Sequence, residues 1–344
     1  MKRVIFFFIS LLVGVVLLLW VTNTVGRQEI QSSFLIFTGW HGIVILFLSF
    51  LIILIGTWKW KSILKSQGYS LSLKQLFGPY LAGFSMGYLF QIILVGGEVF
   101  RSYILKEKHL VPWQKAAASV VIDKVLDGTG FFISILAGLI YFLLKIGLPP
   151  RDLGIIFGGV LFILFILIGV FYFKSFKKES IVRPIIKLFN TKSVVNGDIL
   201  EIEREAFSYF KFRNPAFWQG LGLSFLRVLI TWLRCWILVL FLGKAIGFLP
   251  ALSILGFYYI AMLIPIPADL GIHELIQVFG FSALGFEASI APAFTMIQRG
   301  AQLILALAGI IIFFKLGIGL LRAFFFRKIE RLFGIKEESG SEDL

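Results

Sequence analysis

Long apolar runs separated by short basic stretches make up most of the chain. A helix needs about 20 apolar residues to cross the hydrocarbon core of a bilayer, and the longer runs meet this requirement. About six full crossings are predicted, over residues 4–21, 34–56, 116–144, 152–173, 216–243 and 291–321. The first run follows Met1-Lys2-Arg3 and lacks a small-residue cleavage site, so we interpret it as a retained helix rather than a signal peptide.

Two further apolar stretches are interrupted by glycine and proline. The first covers residues 76–97 and ends at Gly96-Gly97-Glu98, and the second covers residues 249–286 and contains Pro265-Ile266-Pro267. Irregular backbone at membrane depth is tolerated only where it is buried in protein or lines a wet cavity. We therefore expect both segments to be re-entrant, so that each enters the membrane and returns to the side from which it came.

Composition agrees with a polytopic membrane protein. The 344 residues are 58% hydrophobic and have a mean hydropathy of +0.93, which excludes a soluble globule. The net charge of +14 comes mainly from lysines and arginines in short loops, where it indicates membrane orientation rather than nucleic-acid binding. This bias predicts cytoplasmic termini, and the plasma (inner) membrane is the expected location. The single cysteine, Cys235, excludes a disulfide framework and a thiolate metal site.

The predicted fold class is an all-α polytopic membrane protein with two inverted halves, each of about three transmembrane helices and one re-entrant segment. The expected division is a first membrane half at 1–173, a basic cytoplasmic or interfacial linker at 174–215, a second membrane half at 216–322 and a cytoplasmic tail at 323–344.

Short internal similarities support the two halves. The segments Val121-Ile122-Asp123-Lys124 and Met296-Ile297-Gln298-Arg299 follow a glutamate at similar distances, and Leu136-Ala137-Gly138 and Leu307-Ala308-Gly309 follow in turn. Inverted repeats with broken segments in corresponding positions are typical of secondary transporters, whose substrate site lies at the repeat interface.

Ionisable residues in the apolar spans of the first half are candidates for the substrate site. Inserting each one into a membrane costs at least about 2.5–3.5 kcal/mol, so such a residue normally faces a partner or a cavity. Glu98 and Arg101 either form an ion pair, or Arg101 binds an anionic headgroup while Glu98 orients it or accepts a proton. Asp123 and Asp127 lie four residues apart, beside Lys124. They either balance the basic loop or cap the helix, or Asp123 and Lys124 extend a charge network that includes Glu98 and Arg101.

Two arginines of the second half, Arg227 and Arg234, are seven residues apart and project from one helix face. Their planar forks of donors suit a phosphate clamp. Alternatively, they neutralise carboxylates, for which the candidates are Glu98, Asp127, Asp269 and Glu274.

The second interrupted stretch, at 249–286, contains further candidate residues for the substrate site. A helix that restarts near His273 directs its N-terminal amides at the cavity and attracts anions, unless Asp269 caps it. His273 and Glu274 are candidates for a proton relay, and Glu274 is the first candidate partner for Arg299. No metal ion and no cofactor is expected.

At these positions the sequence resembles the flippase-like transmembrane family that includes the membrane portion of bacterial lysylphosphatidylglycerol synthases and archaeal dolichol-linked glycosylation proteins. The resemblance covers residues 4–322. It is carried by Gly97-Glu98-Val99-Phe100-Arg101, Val121-Ile122-Asp123-Lys124-Val125-Leu126-Asp127, Pro265-x-Pro267 with Gly271-Ile272-His273-Glu274, and Arg299. The sequence departs from the family pattern at two places, with Asp123 in place of glutamate and Ala268-Asp269 in place of glycine. These departures leave the identity of the lipid headgroup undetermined.

The resemblance implies movement of an anionic or aminoacylated lipid between leaflets. The expected partners are membrane lipids with anionic headgroups. The sequence is also compatible with a homo-oligomer. Lysyl transfer is not expected, because the chain ends shortly after its last predicted span. One alternative is a membrane-embedded enzyme acting on a lipid-linked phosphate through Asp123, Asp127 and His273. The other is a non-catalytic partner subunit of a lipid-glycosylation system.

Overall fold

The computed structural model describes residues 39–89, 96–149, 151–184, 195–264 and 271–333, which are helical with short connections and contain no strand. In chain order the helices are α1 (Trp40–Ser66), α2 (Leu73–Leu89), α3 (Gly96–His109), α4 (Trp113–Lys145), α5 (Arg151–Lys177), α6 (Val195–Tyr209), α7 (Pro215–Phe241), α8 (Pro250–Met262), α9 (Ile272–Ala283) and α10 (Ile290–Phe333). The predicted all-α class is confirmed.

Five helices in this part of the chain are long and apolar enough to cross a membrane. They are α1, α4, α5 from Gly154, α7 and α10 as far as Gly317, and they correspond to five of the predicted crossings. The predicted crossing at 4–21 lies outside the described residues. Large apolar side chains of α5, including Phe162, Phe165 and Leu167, are exposed, as expected for a helix solvated by lipid.

Two pairs of shorter helices form helical hairpins, which we name the first hairpin (α2–α3) and the second hairpin (α8–α9). In the first, the backbones approach so closely that a Cβ atom at Gly97 would overlap the carbonyl oxygen of Gly83. In the second, Gln277 Nε2 donates to the carbonyl oxygen of Ile254 at 3.2 Å. At 13 residues, α8 is about 20 Å long, which is too short to cross a bilayer core of about 30 Å.

The two ends of each hairpin lie close together. At the first hairpin, the Lys115 ammonium lies 5.7 Å from the centroid of the Tyr69 ring. At the second, Lys244 forms an ion pair with Glu287 at 2.9 Å. The segment that leads into each hairpin therefore meets the segment that leaves it on one face of the molecule.

Helix α2 of the first hairpin packs against α10, and helix α8 of the second hairpin packs against α4. Between α4 and α8, a Cβ atom at Gly138 would lie 2.5 Å from the carbonyl oxygen of Leu252. Between α10 and α2, a Cβ atom at Gly309 would lie 2.5 Å from the carbonyl oxygen of Leu81. Small residues allow such close approach, on which helix association in membranes depends. Helices α1 and α7 also pack along each other.

The basic linker contains α6, which packs against α4. Gln114 Nε2 of α4 donates to Asp198 of α6 at 2.9 Å, and the Tyr209 hydroxyl donates to the carbonyl oxygen of Ala216 at 2.5 Å. These contacts join the linker to the membrane helices. Helix α10 continues to Phe333, so the start of the predicted tail is helical.

We expect Gly138→Val to lower stability by about 1–3 kcal/mol, because the added atoms must displace the α8 backbone at Leu252. The buried single cysteine, Cys235, makes this measurable by heating the protein with a thiol-reactive fluorophore that reports unfolding. The matched control is Gly169→Val in α5, where no atom lies within 4 Å of an added Cβ. Equal unfolding temperatures for the two variants would contradict close packing of α4 on α8.

Candidate functional site

Five charged side chains from four helices form what we name the buried charge cluster: Lys59 of α1, Arg101 of α3, Asp123 and Asp127 of α4, and Arg227 of α7. The Lys59 ammonium lies 2.9 Å from Asp123 Oδ1 and 2.5 Å from Asp127 Oδ1. Arg101 Nη1 pairs with Asp123 Oδ2 at 2.9 Å, and Arg227 Nη1 pairs with Asp127 Oδ2 at 2.6 Å. Each aspartate therefore bridges two cations on different helices.

The buried charge cluster carries an excess of positive charge, because three cations face two carboxylates. Arg101 lies over the rings of Trp60 and Tyr80, with its guanidinium carbon 4.1 and 4.4 Å from the ring centroids. Its Nε and Nη2 atoms are buried and have no hydrogen-bond partner within the described residues. A buried donor without an acceptor is costly, so these atoms are suited to bind an anionic group.

Glu98 lies beside this cluster and pairs with Lys124 at 2.5 Å. The proposed ion pair between Glu98 and Arg101 is wrong, because Arg101 contacts Asp123 instead. The alternative, in which Asp123 and Lys124 form a network with Glu98 and Arg101, agrees with the contacts. The Lys124 side chain is 57% exposed and that of Glu98 is 21% exposed, so this pair lies at the edge of the cluster.

Lys59 is a site residue that the sequence pattern did not predict, because the second crossing was expected to end at residue 56 and the following lysines to lie at the cytoplasmic interface. In the structure α1 continues to Ser66, and Lys59 is completely buried. The available signal was the pair of aspartates four residues apart on α4, since buried carboxylates require cationic partners.

Arg234 is the main charged group of a second site, between α1, α7, α8 and α10. Its Nη1 donates to Ser49 Oγ at 2.9 Å, and its Nη2 donates to Gln298 Oε1 at 3.1 Å and to the Tyr258 hydroxyl at 3.4 Å. These acceptors are neutral, and within the described ranges no carboxylate pairs with Arg234. The proposal that both arginines neutralise carboxylates therefore holds for Arg227 and not for Arg234.

Glu274 and Arg299 form a buried pair near this second site. Arg299 Nη1 and Nη2 donate to the two carboxylate oxygens of Glu274 at 2.6 and 3.2 Å, as expected from the sequence. His273 is also buried, and its ring lies 5.2 Å from the ring of Tyr258. A small cavity borders these groups and is lined by Tyr258, His273, Thr295, Gln298, Arg299 and Gln302.

The three candidate residues of the enzyme alternative do not lie together. Asp123 and Asp127 contact the cations of the buried charge cluster, whereas His273 lies with Tyr258 in the second site. In the portion of the chain that the structure describes, no three histidine, cysteine, aspartate or glutamate side chains come together as metal ligands. Asp269, the proposed helix cap, lies outside the described residues.

These observations define a class: a multi-pass helical membrane protein with charged side chains buried between its helices. The chain belongs to the family described as the lysylphosphatidylglycerol synthase TM region, whose model matches residues 7–309. The resemblance found in the sequence is thereby confirmed. Membership of this family agrees with a lipid-related function in the membrane.

The chain is also similar to membrane proteins of archaea. A UPF0104 membrane protein of Methanocaldococcus jannaschii is 24% identical over 311 residues, covering 86% of this chain and 90% of the relative. One from Pyrococcus horikoshii is 25% identical over 264 residues, covering 72% and 78%. One from Methanothermobacter thermautotrophicus is 22% identical over 303 residues, covering 85% and 89%. No solved structure matches the chain significantly.

We expect Asp123→Asn to destabilise the protein by about 3–5 kcal/mol, because it leaves Lys59 and Arg101 buried without their shared carboxylate. Adding Lys59→Met restores the original excess of one positive charge and should recover at least about 1 kcal/mol. A double-mutant cycle, followed by thermal labelling of Cys235, measures this coupling. Additive effects of the two substitutions would show that Lys59 and Asp123 do not act as a pair.

Proposed function

We propose that this protein is a lipid translocase that moves an anionic or aminoacylated phospholipid, or a polyprenyl-phosphate-linked lipid, between leaflets. The observation that carries the proposal is the excess of buried positive charge among the described residues. Arg234 contacts neutral oxygens, and the buried charge cluster holds three cations against two carboxylates. An uncompensated buried cation is costly, and a lipid phosphate would supply the missing negative charge.

The polar groups lie between helices that also have exposed apolar side chains, such as Phe47 of α1, Ile140 of α4 and Leu229 of α7. In the proposed mechanism the acyl or prenyl tails stay in the bilayer while the headgroup passes through the polar interior. The arginines at positions 101, 227, 234 and 299 engage the phosphate. The carboxylates orient these arginines or couple protons to the movement.

Corresponding contacts in the two hairpins support two related halves of opposite orientation. Each hairpin places a glutamate in the first turn of its second helix, Glu98 in α3 and Glu274 in α9. Each glutamate pairs with a cation of the following long helix, Lys124 in α4 and Arg299 in α10. The reciprocal packing of α2 on α10 and of α8 on α4 has the same symmetry.

Lys59 and Arg234 extend this correspondence. They lie at the same distance from the first residues of α1 and α7, the two helices that pack along each other. Both are buried and both contact polar groups of the following long helix of their half, Lys59 on α4 and Arg234 on α10. In the proposed translocase, these two cations form equivalent positions on either side of the repeat interface.

The two glutamate pairs differ in exposure, which supports alternating access. The first pair is open at Lys124, whose side chain is 57% exposed, whereas in the second pair Glu274 is completely buried and Arg299 is 15% exposed. In this proposal the structure represents a state that is open beside the first hairpin. Movement of the hairpins would close the first pair and open the second.

We expect Arg234→Gln to reduce leaflet exchange of a fluorescent anionic phospholipid or polyprenyl phosphate in proteoliposomes at least about tenfold, equivalent to about 1.4 kcal/mol. Arg234→Lys keeps the charge and should retain part of the activity. Arg151→Gln, at an exposed arginine that begins α5, is the matched control. If the Arg234→Gln variant exchanges lipid between leaflets as fast as the native chain, Arg234 does not belong to the substrate site. No exchange of any lipid by the folded native chain would reject the translocase and favour an enzyme or a partner subunit.

We expect both ends of the first hairpin to react from the cytoplasmic side and both ends of the second to react from the opposite side. The measurement is labelling by a membrane-impermeant maleimide in sealed vesicles of known orientation. The variants carry Ser70→Cys, Leu110→Cys, Ala245→Cys or Glu287→Cys in a Cys235→Ser background, and each new cysteine replaces an exposed residue. Labelling of positions 70 and 110 from opposite sides would show that the first hairpin crosses the membrane.

A further inference from the structure

A groove with a volume of about 780 Å³ opens between the C-terminal end of α5, the residues that follow it and α6. It is separate from the buried charge cluster and from the Arg234 site, with which it shares no residue. Its lining combines basic, acidic, hydroxyl and apolar side chains.

Four of these lining residues are basic and exposed: Lys178, Arg183, Arg204 and Lys211. None of the four forms an ion pair with another described residue. These four basic side chains outnumber the carboxylate of Glu203 in the same lining, and this excess produces a local positive potential that attracts anions. The groove therefore favours a negatively charged ligand.

Glu203 is the acidic residue of the described lining, and its hydrogen bonds have a structural role. Glu203 accepts hydrogen bonds from the Ser180 hydroxyl and from the backbone N–H groups of Ile181 and Val182, the latter two at 2.6 and 3.0 Å. It thereby fastens the segment after α5 onto α6 and forms one wall of the groove. Glu179 pairs with Lys174 at 2.5 Å, and this hydrogen bond lowers the pKa of Glu179 and keeps it ionised.

The groove is also partly apolar. Phe176, Phe207, Phe210 and Leu200 contribute to its lining, and the Phe176 side chain is 41% exposed. The Ser175 hydroxyl adds a polar group at the same place. Ser175 is 3% exposed, and its oxygen has no hydrogen-bond partner within the described residues. An anion with an attached hydrocarbon would contact the basic, the polar and the apolar groups together.

We propose that this groove binds one anionic phospholipid, with its phosphate among the four basic side chains and the start of its acyl chains against Phe176 and Phe207. Basic residues beside a membrane attract anionic lipids. The amphipathic α6 lies in a basic linker between membrane halves, which is the setting in which a helix lies at headgroup depth. A lipid bound here would stabilise the contact between α5 and α6.

The test is isothermal titration of the purified full chain in a nonionic detergent with three probes: dihexanoylphosphatidylglycerol, dihexanoylphosphatidylcholine and inorganic phosphate. The binding variant is Arg183→Glu with Arg204→Glu. The control is Lys106→Glu with Lys108→Glu, which makes the same charge change at two exposed lysines of α3 outside the groove. Both are also measured in an Arg234→Gln background, so that binding at the proposed translocation site is separated from binding in the groove.

We expect the groove variant to bind the phosphatidylglycerol at least about tenfold more weakly, while the control stays within about twofold of the native chain. The neutral phosphatidylcholine and inorganic phosphate should bind more weakly than the phosphatidylglycerol. Equal weakening in the groove variant and the control would overturn the proposal, since it would indicate a nonspecific charge effect. Inorganic phosphate that binds as tightly as the lipid would also overturn it, because the apolar lining would then contribute nothing.

Discussion

The bridging of cations by Asp123 is the interaction on which the interior of this protein depends. A charge removed from water costs several kcal/mol, and the loss is offset only by close oppositely charged partners. Asp123 meets this requirement by contacting Lys59 of α1 and Arg101 of α3, so one carboxylate joins three helices. The positions of α1, the first hairpin and α4 are therefore linked by electrostatics as well as by apolar packing.

Among the described residues, the cations of the buried charge cluster outnumber its carboxylates by three to two. If the charged groups served stability alone, equal numbers of opposite charges would satisfy them at lower cost. Arg234 instead contacts the oxygens of Ser49, Tyr258 and Gln298, and Arg101 has two nitrogen atoms without acceptors among the described residues. The proposal of an anionic lipid substrate depends on this imbalance.

Most of the helices could be predicted from the sequence, because hydropathy and length reflect the thickness of the bilayer directly. Five predicted crossings correspond to helices, and the glycine- and proline-broken stretch at 249–286 corresponds to two short helices on either side of residues 265–270. The second crossing was predicted to end at residue 56 because Trp58, Lys59 and Trp60 have the composition of an interfacial segment. In the structure α1 continues to Ser66, and Lys59 is buried.

The candidate site was harder to predict, because its contacts join residues far apart in the chain. Lys59 and Asp123 are separated by 64 positions, and no local spacing relates them. Glu98 and Arg101 looked like a pair because they lie three residues apart, but both have partners on α4. Glu274 and Arg299 were paired correctly, because both lie within apolar stretches where a buried ionisable side chain needs a partner.

The reciprocal packing of the hairpins has a consequence for biogenesis. During synthesis the N-terminal half emerges first, so α2 and α4 are inserted before their partners α10 and α8 have been translated. The surfaces around Leu81 and Gly138 therefore face lipid or an insertase until the second half arrives. The packing of α2 on α10 and of α4 on α8 can form only after the later helix of each pair has been synthesised.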